Sequence, residues 1–257
     1  MADAKTAVAQ KPIWIDLSSG DAAGSRDFYS KLFGWNVEVN PDPQYGGYAL
    51  AKVGGKSVAG IGGKVSAEAP TAWTVYIGTS DAADTVKKAK AAGGGAMVEP
   101  MAVGDQGTMA IIQDTSGAFL GVWQPNVMTG AELVNAANSF SWAELSARGI
   151  DKAKPFYKSV FGWGDKTSDM GQGMQYTEFL LSGDSIAGGM EMNPMVPAQV
   201  PSYWMPYFEV ADVDKSLAKA TSLGATEMMG ATDFSGGRFA IVTDPQGATF
   251  GLLKQKS

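Results

Sequence analysis

The sequence predicts an α+β fold: tandem βαβββ modules forming two curved mixed sheets, with helices on their outer faces and clefts on their inner ones. Three observations carry that prediction. First, the chain repeats itself. WIDLSSGDAAGSRDFYSKLFGW, from Trp14 to Trp35, returns as WAELSARGIDKAKPFYKSVFGW, from Trp142 to Trp163, with its flanking tryptophans equally spaced. WTVYIGTSD (Trp73 to Asp81) returns as WMPYFEVAD (Trp204 to Asp212), and MAIIQDTSGAFLGVWQ (Met109 to Gln124) returns as FAIVTDPQGATFGLLK (Phe239 to Lys254). Second, the matches keep one order and a nearly constant offset within 257 residues, which makes two modules of ordinary domain size. Third, each copy alternates short β-branched and aromatic segments with segments of helical period.

In the first copy, Ile13 to Leu17 reads as a strand. Ser19-Gly20-Asp21 is turn and cap chemistry, and Ser25, Phe28, Tyr29 and Leu32 recur at helical spacing up to Gly34, which is placed to stop the helix. YALAKV (Tyr48 to Val53), a Gly-Gly turn and SVAGI (Ser57 to Ile61) read as a hairpin. Trp73 to Ile77 is a further strand, and Asp81 caps a helix that runs to the stop at Gly93-Gly94-Gly95. Met109 to Ile112, the turn Asp114 to Gly117, and Phe119 to Trp123 close the module as a hairpin. The second copy repeats this, with Tyr176 to Met190 as its middle hairpin and Asp244 to Gly247 as its closing turn. The division expected is an N-terminal tail at 1–12, a first module at 13–125, a linker at 126–139 and a second module at 140–257.

Composition narrows the function. The net charge is −6 and the lysines are scattered, which argues against a nucleic-acid partner, because phosphate binding needs clustered Lys and Arg. The small cluster KKAK (Lys87 to Lys90) reads as the solvated face of a helix. MADAKTAVAQKP lacks the continuous apolar stretch of a signal peptide, and no apolar run approaches the roughly 20 residues of a membrane helix. No membrane partner is expected, and the cytoplasm is the default compartment. With no cysteine and no histidine, Cys-His and Ser-His nucleophilic machinery and thiolate metal sites are excluded. The glycine runs are turn and helix-stop signals, and no GxGxxG follows a strand. Met190, Met192 and Met195 read as adaptable apolar surface.

The words FYxxxFGW, WMPYFEVAD and DPxGxxFxL resemble those of the vicinal oxygen chelate superfamily, which includes glyoxalase I, extradiol dioxygenases, fosfomycin-resistance proteins and bleomycin-binding proteins. The resemblance covers Ile13 to Gln124 and Phe140 to Lys254. Within the superfamily the chain is most similar to two-module proteins of the glyoxalase-like or hydroxylase type. The resemblance implies metal-ligand positions on the first strand, on the mid-module strand and near the end of the last strand. They fall on Trp14, Thr74 and Gly121 in one copy and on Trp142, Met205 and Gly251 in the other. None supplies the carboxylate, imidazole or amide oxygen that a divalent cation needs. Neither a metal nor another cofactor is therefore expected.

Strand alternation orients the neighbours of those positions. Trp14 shares a face with Asp16 and Ser18, and Trp142 with Glu144 and Ser146; Tyr76, Tyr207, Glu209, Phe119 and Trp123 follow by the same parity. The expected ligand-binding set is Trp14, Trp142, Tyr76, Tyr207, Phe119, Trp123, Met205 and Glu209. The tryptophans either fill the vacated metal pockets as core or serve as platforms for a planar or cationic molecule, since aromatic faces attract organic cations by about 0.5–2 kcal/mol per contact. Asp16 and Glu144 are the candidate catalytic acids, because burial against an apolar neighbour raises a carboxyl's pKa into the range that suits a general acid or base. Alternatively each caps a backbone group or pairs with Arg26, Arg148 or Arg238. Two functions remain: a metal-independent binder of a small planar or cationic molecule, of the resistance or sequestration type similar to bleomycin-binding proteins, or a glyoxalase-like lyase or hydroxylase acting through those carboxylates. A monomer or homodimer is expected.

Overall fold

The computed structural model describes residues 10–64, 66–171 and 173–256, so most of the expected N-terminal tail lies outside the described residues. The first repeat runs β1 (Pro12–Ser19), α1 (Ala22–Phe33), β2 (Asn36–Val39), β3 (Ala49–Val53), β4 (Lys56–Gly63), β5 (Ala72–Gly78), α2 (Ala82–Ala91), β6 (Gly95–Val103), β7 (Gly107–Gln113) and β8 (Phe119–Pro125). The second runs β9 (Phe140–Ala147), α3 (Ile150–Phe161), β10 (Gly164–Asp169), β11 (Gln175–Leu181), β12 (Asp184–Glu191), β13 (Tyr203–Glu209), α4 (Val213–Ser222), β14 (Thr226–Phe234), β15 (Gly237–Thr243) and β16 (Thr249–Gln255). Each repeat is thus two βαβββ motifs in succession. The fold is α+β, with two mixed eight-stranded sheets ordered β2-β3-β4-β1-β5-β8-β7-β6 and β10-β11-β12-β9-β13-β16-β15-β14.

Four strands, β2, β6, β10 and β14, are the edge strands of the two sheets, and of them only the four-residue β2 (NVEV) alternates polar with apolar residues. Their side chains are mostly exposed or half-buried, so nothing in them had to alternate. The helices begin and end as their cap residues dictate. Asp21 accepts from the Gly24 N–H, Asp81 from the Asp84 N–H and Asp212 from the Lys215 N–H. Gly34 and Gly162 end α1 and α3 in the left-handed conformation that glycine adopts without a Cβ clash.

The compact units are not the repeats. One unit holds the described residues up to 13 with 75–130 and 143–204; the other holds 14–74, 131–142 and 205–257. Each unit therefore combines the first half of one repeat with the second half of the other. The shared words explain why. In one unit the Tyr29 hydroxyl donates to Asp244 (2.8 Å) and accepts from the Trp73 indole (2.9 Å). In the other, Tyr157 donates to Asp114 (2.5 Å) and accepts from Trp204 (2.8 Å). The tyrosine of FYxxxFGW in one repeat thus bonds the turn aspartate of the other repeat. Those aspartates also hold their own turns, Asp114 through the Ser116 and Ala118 N–H groups and Asp244 through those of Gln246 and Ala248. Rings complete each core: Tyr29 stacks on Trp35 at 5.7 Å and Tyr157 on Trp163 at 5.1 Å. Burial first, and the neighbouring carboxylate second, push both phenols well above the ordinary tyrosine range, so each stays a hydrogen-bond donor.

Candidate functional site

Four parallel strand pairs position the predicted site residues, one pair in each βαβββ motif. In each pair a site residue on the first strand stands opposite a glycine on the last: Asp16 with Gly60, Tyr76 with Gly121, Glu144 with Gly188, and Tyr207 with Gly251. A glycine in that register leaves room for a ring or an acid to lie across the neighbouring strand.

In the unit containing residues 14–74, Trp14 is 3% exposed and its indole N–H donates to the half-buried Tyr48 hydroxyl at 3.2 Å. That phenol lies over Gly60, where an added Cβ would sit 1.8 Å from Tyr48 Oη and 3.0 Å from Asp16 Cβ. Burial, then the charge of Asp16, raises the Tyr48 pKa well above its ordinary value. In the same unit Tyr207, 4% exposed, lies on Gly251, with Phe239 edge-on to it at 6.3 Å. Met205 is buried. The buried Glu209 carboxylate takes the Lys254 ammonium (3.0 Å) and the Gln255 N–H (3.4 Å), so a structural ion pair holds it.

In the other unit Tyr76, 6% exposed, lies on Gly121, where a Cβ would meet its Cδ1 at 2.1 Å. The Trp123 N–H donates to the Met128 carbonyl (2.8 Å) and its ring covers Gly107, so this tryptophan packs the closing hairpin. Phe119 keeps 37% of its surface exposed. Glu144 and Ser146 are half-buried on one face of β9, and the half-buried Tyr203 hydroxyl hydrogen-bonds Ser146. Burial raises the Tyr203 pKa; the Ser146 bond lowers it and the Glu144 charge adds to the rise.

The predicted set therefore divides. Trp14, Tyr76, Tyr207, Trp123, Met205 and Glu209 are buried side chains with little surface to offer. Trp142, Phe119, Asp16 and Glu144 retain accessible surface. The arginines considered as partners for the two acids are engaged elsewhere in two cases. Arg148 donates to the carbonyls of Val196, Pro197 and Val200, and Arg238 to Asp214 and Asp233. A shallow depression on α4 lined by Asp214, Leu217, Ala218, Thr221, Ser222 and Glu227 contains none of the predicted residues.

The residues at the implied metal positions do not fit a divalent cation. Gly121 and Gly251 lie under tyrosine rings, so a longer side chain there has no space, and Trp14 and Trp142 offer no lone pair. Among the described residues no three His, Cys, Asp or Glu side chains come together. Sequence reasoning missed Tyr48, Tyr203, Gly60 and Gly188. A signal existed for three of them: Tyr48 recurs as the Tyr176 that opens YTEFLL, and the Gly60 of SVAG recurs as the Gly188 of SIAGG. Tyr203 has no tyrosine counterpart in the first repeat, so the repeat gave no pointer to it.

The profile of the glyoxalase/bleomycin resistance protein/dioxygenase superfamily matches residues 11–122 and 139–252. The chain belongs to that superfamily. It is 38% identical over 248 residues to "Putative glyoxylase CFP32" of Mycobacterium tuberculosis (strain CDC 1551 / Oshkosh), covering 95% of this chain and 94% of that one. It is 34% identical over 257 residues to "Anthracycline biosynthesis protein DnrV" of Streptomyces peucetius, covering 95% and 92%. Among solved structures, the Mn(II)-bound glyoxalase from Novosphingobium aromaticivorans superposes with a TM-score of 0.64 at 14% identity, covering 96% of this chain and 83% of that one. That likeness concerns the fold alone.

Proposed function

We propose that this member of the superfamily binds a small planar or cationic organic molecule without a metal ion. The observation that carries the reading is the pair of tyrosine rings, Tyr76 on Gly121 and Tyr207 on Gly251, that occupy the implied ligand positions in both repeats. One unit offers accessible aromatic surface at Trp142 and negative charge at Asp16, and the other offers them at Phe119 and Glu144. The relative named for anthracycline biosynthesis supports a planar ligand, since anthracyclines are fused-ring aromatic compounds.

The test is a fluorescence titration with daunorubicin, an anthracycline bearing a protonatable amino sugar, before and after exhaustive treatment with chelator. Saturable binding that survives metal stripping is the expected result. A stoichiometric, tightly held transition metal in the purified protein, or binding that vanishes on stripping, overturns the reading.

A second reading is favoured by the glyoxylase name of the 38%-identical relative and by the phenol held beside Asp16. It makes the protein a glyoxalase-like lyase or a hydroxylase that works through Asp16 and Glu144. Turnover of a methylglyoxal–thiol hemithioacetal that persists in chelator and is lost in Asp16→Asn or Glu144→Gln is what this reading requires.

A further inference from the structure

Two of the four edge strands carry the same irregularity. In β6, Ala96 pairs with Ile112 and Val98 with Ile111, so Met97 is an extra residue outside the register with β7. In β14, Glu227 pairs with Val242 and Met229 with Ile241, and Met228 is the extra residue. Ile112 and Val242 are matching positions of the repeated closing words, so a methionine bulges from the edge at the same place in each repeat. Met97 keeps 66% of its surface exposed and Met228 62%, and Met101 and Met229 on the same strands keep 51% and 44%. Edge strands are ordinarily guarded by charge, proline or the bulge itself, none of which needs an apolar side chain at the bulge. Leaving a methionine there forgoes the stabilisation that its burial in a core would bring. Other readily oxidised side chains are absent or covered. The chain has no cysteine, and six of its seven tryptophans are buried, Trp142 being half-buried.

We propose that Met97 and Met228, with Met101 and Met229 beside them, are reversible oxidation sites that take oxygen from hydroperoxides. The thioether sulfur attacks the terminal oxygen of R–O–O–H. An S–O bond forms, the O–O bond breaks, and the proton on the transferred oxygen passes to the leaving alkoxide. Sulfur gives up two electrons and becomes the sulfoxide, and the hydroperoxide is reduced to R–OH, or to water when R is hydrogen. A sulfoxide is polar, so it disrupts a core but is tolerated where it meets water. At Met97 and Met228 the new S=O is solvated, whereas Met192 and Met205, each 3% exposed, would carry it into packed apolar surroundings. β7 separates β6 from β8, which holds Phe119, and β15 separates β14 from β16, so oxidation at these edges is independent of ligand binding.

The test exposes the full chain to hydrogen peroxide, locates sulfoxides by peptide mass spectrometry at timed intervals and follows the fold by near-UV circular dichroism. Met97 and Met228 should be oxidised at rates within about threefold of each other and about tenfold or more faster than Met192 and Met205, with the dichroism unchanged. The two methionine sulfoxide reductases, one for each sulfoxide epimer, should return both residues to methionine in the presence of a thiol reductant. A double variant, Met97→Leu with Met228→Leu, keeps apolar side chains of similar volume. It should consume about two fewer equivalents of peroxide before the buried pair reacts, on an unchanged fold. Oxidation of Met97 and Met228 no faster than of Met192 and Met205, or loss of the near-UV signal as they oxidise, overturns the proposal. Sulfoxides that the reductases cannot restore, or equal peroxide consumption by the double variant and the wild type, overturn it as well.

Discussion

The replacement of Gly251 by alanine puts the ring-on-glycine arrangement to a quantitative test. An added Cβ would lie 1.9 Å from Tyr207 Cδ1, 2.2 Å from Cε1 and 2.5 Å from Cγ. Ordinary carbon–carbon contact is about 3.5–4.0 Å, so the ring must retreat by roughly 1.5 Å. Tyr207 is 4% exposed, and its neighbours are already packed. Such overpacking costs typically 1–3 kcal/mol, and a displacement this large puts the expectation at about 3 kcal/mol. Tyr207→Ala alone leaves a cavity and costs about 3–5 kcal/mol by analogy with other aromatic truncations. Once the ring is gone, the new methyl has room, so the double variant should be no less stable than Tyr207→Ala. The cycle should therefore return a coupling of about 2–3 kcal/mol, of the size expected for residues in direct contact. The assay is urea unfolding of the four proteins, followed by intrinsic fluorescence and by far-UV circular dichroism, with coincident curves required before free energies are taken. Additive losses, or a Gly251→Ala protein as stable as the wild type, would refute the claim that the tyrosine ring excludes a side chain from this position.

Other outcomes follow from the same physics. Tyr157→Phe removes the bond to Asp114 and leaves the Trp204 indole N–H without its acceptor, so it should cost about 2–5 kcal/mol in urea unfolding; Tyr29→Phe should behave alike in the other unit. The Asp244 carboxyl is raised above its ordinary pKa, chiefly by burial against the hydrogen bonds it accepts. A raised folded-state pKa contributes stability that is present below the unfolded value near 4 and is lost as pH rises through the folded value. The stability of Asp244→Asn relative to wild type should therefore improve between pH 4 and 7, and a flat or opposite difference would contradict the shift. Trp142→Ala should weaken daunorubicin binding by about five- to thirtyfold, read by titration, whereas unchanged binding would remove Trp142 from the site.

The repeat, the helix caps and the closing turns were legible in the sequence because each depends on local chemistry. Asp21, Asp81 and Asp212 cap helices whatever surrounds them, and Gly34 and Gly162 stop helices because no Cβ obstructs the left-handed conformation. The parity of β1 and β9 was equally readable: Ile15, Leu17 and Leu145 are buried, and Asp16 and Glu144 lie on the other, half-buried face. The edge strands β2, β6, β10 and β14 were not readable, since neither of their faces had to be apolar.

By itself, then, the sequence determined that the protein is a doubled α+β chain whose implied ligand positions hold tryptophan, threonine or methionine, and glycine. Only the tertiary structure decided which of the expected aromatic residues keep any surface. Trp123 and Glu209 were drawn into bonds with Met128 and Lys254, and Tyr76 and Tyr207 folded onto the glycines opposite them. Tertiary structure also decided that the compact units exchange halves of the repeats, through hydrogen bonds from Tyr29 to Asp244 and from Tyr157 to Asp114. The physical reason is common to both outcomes. A residue's type and spacing set the face on which it lies, but burial and hydrogen-bond partners come from segments far away in the chain, and no local pattern records them.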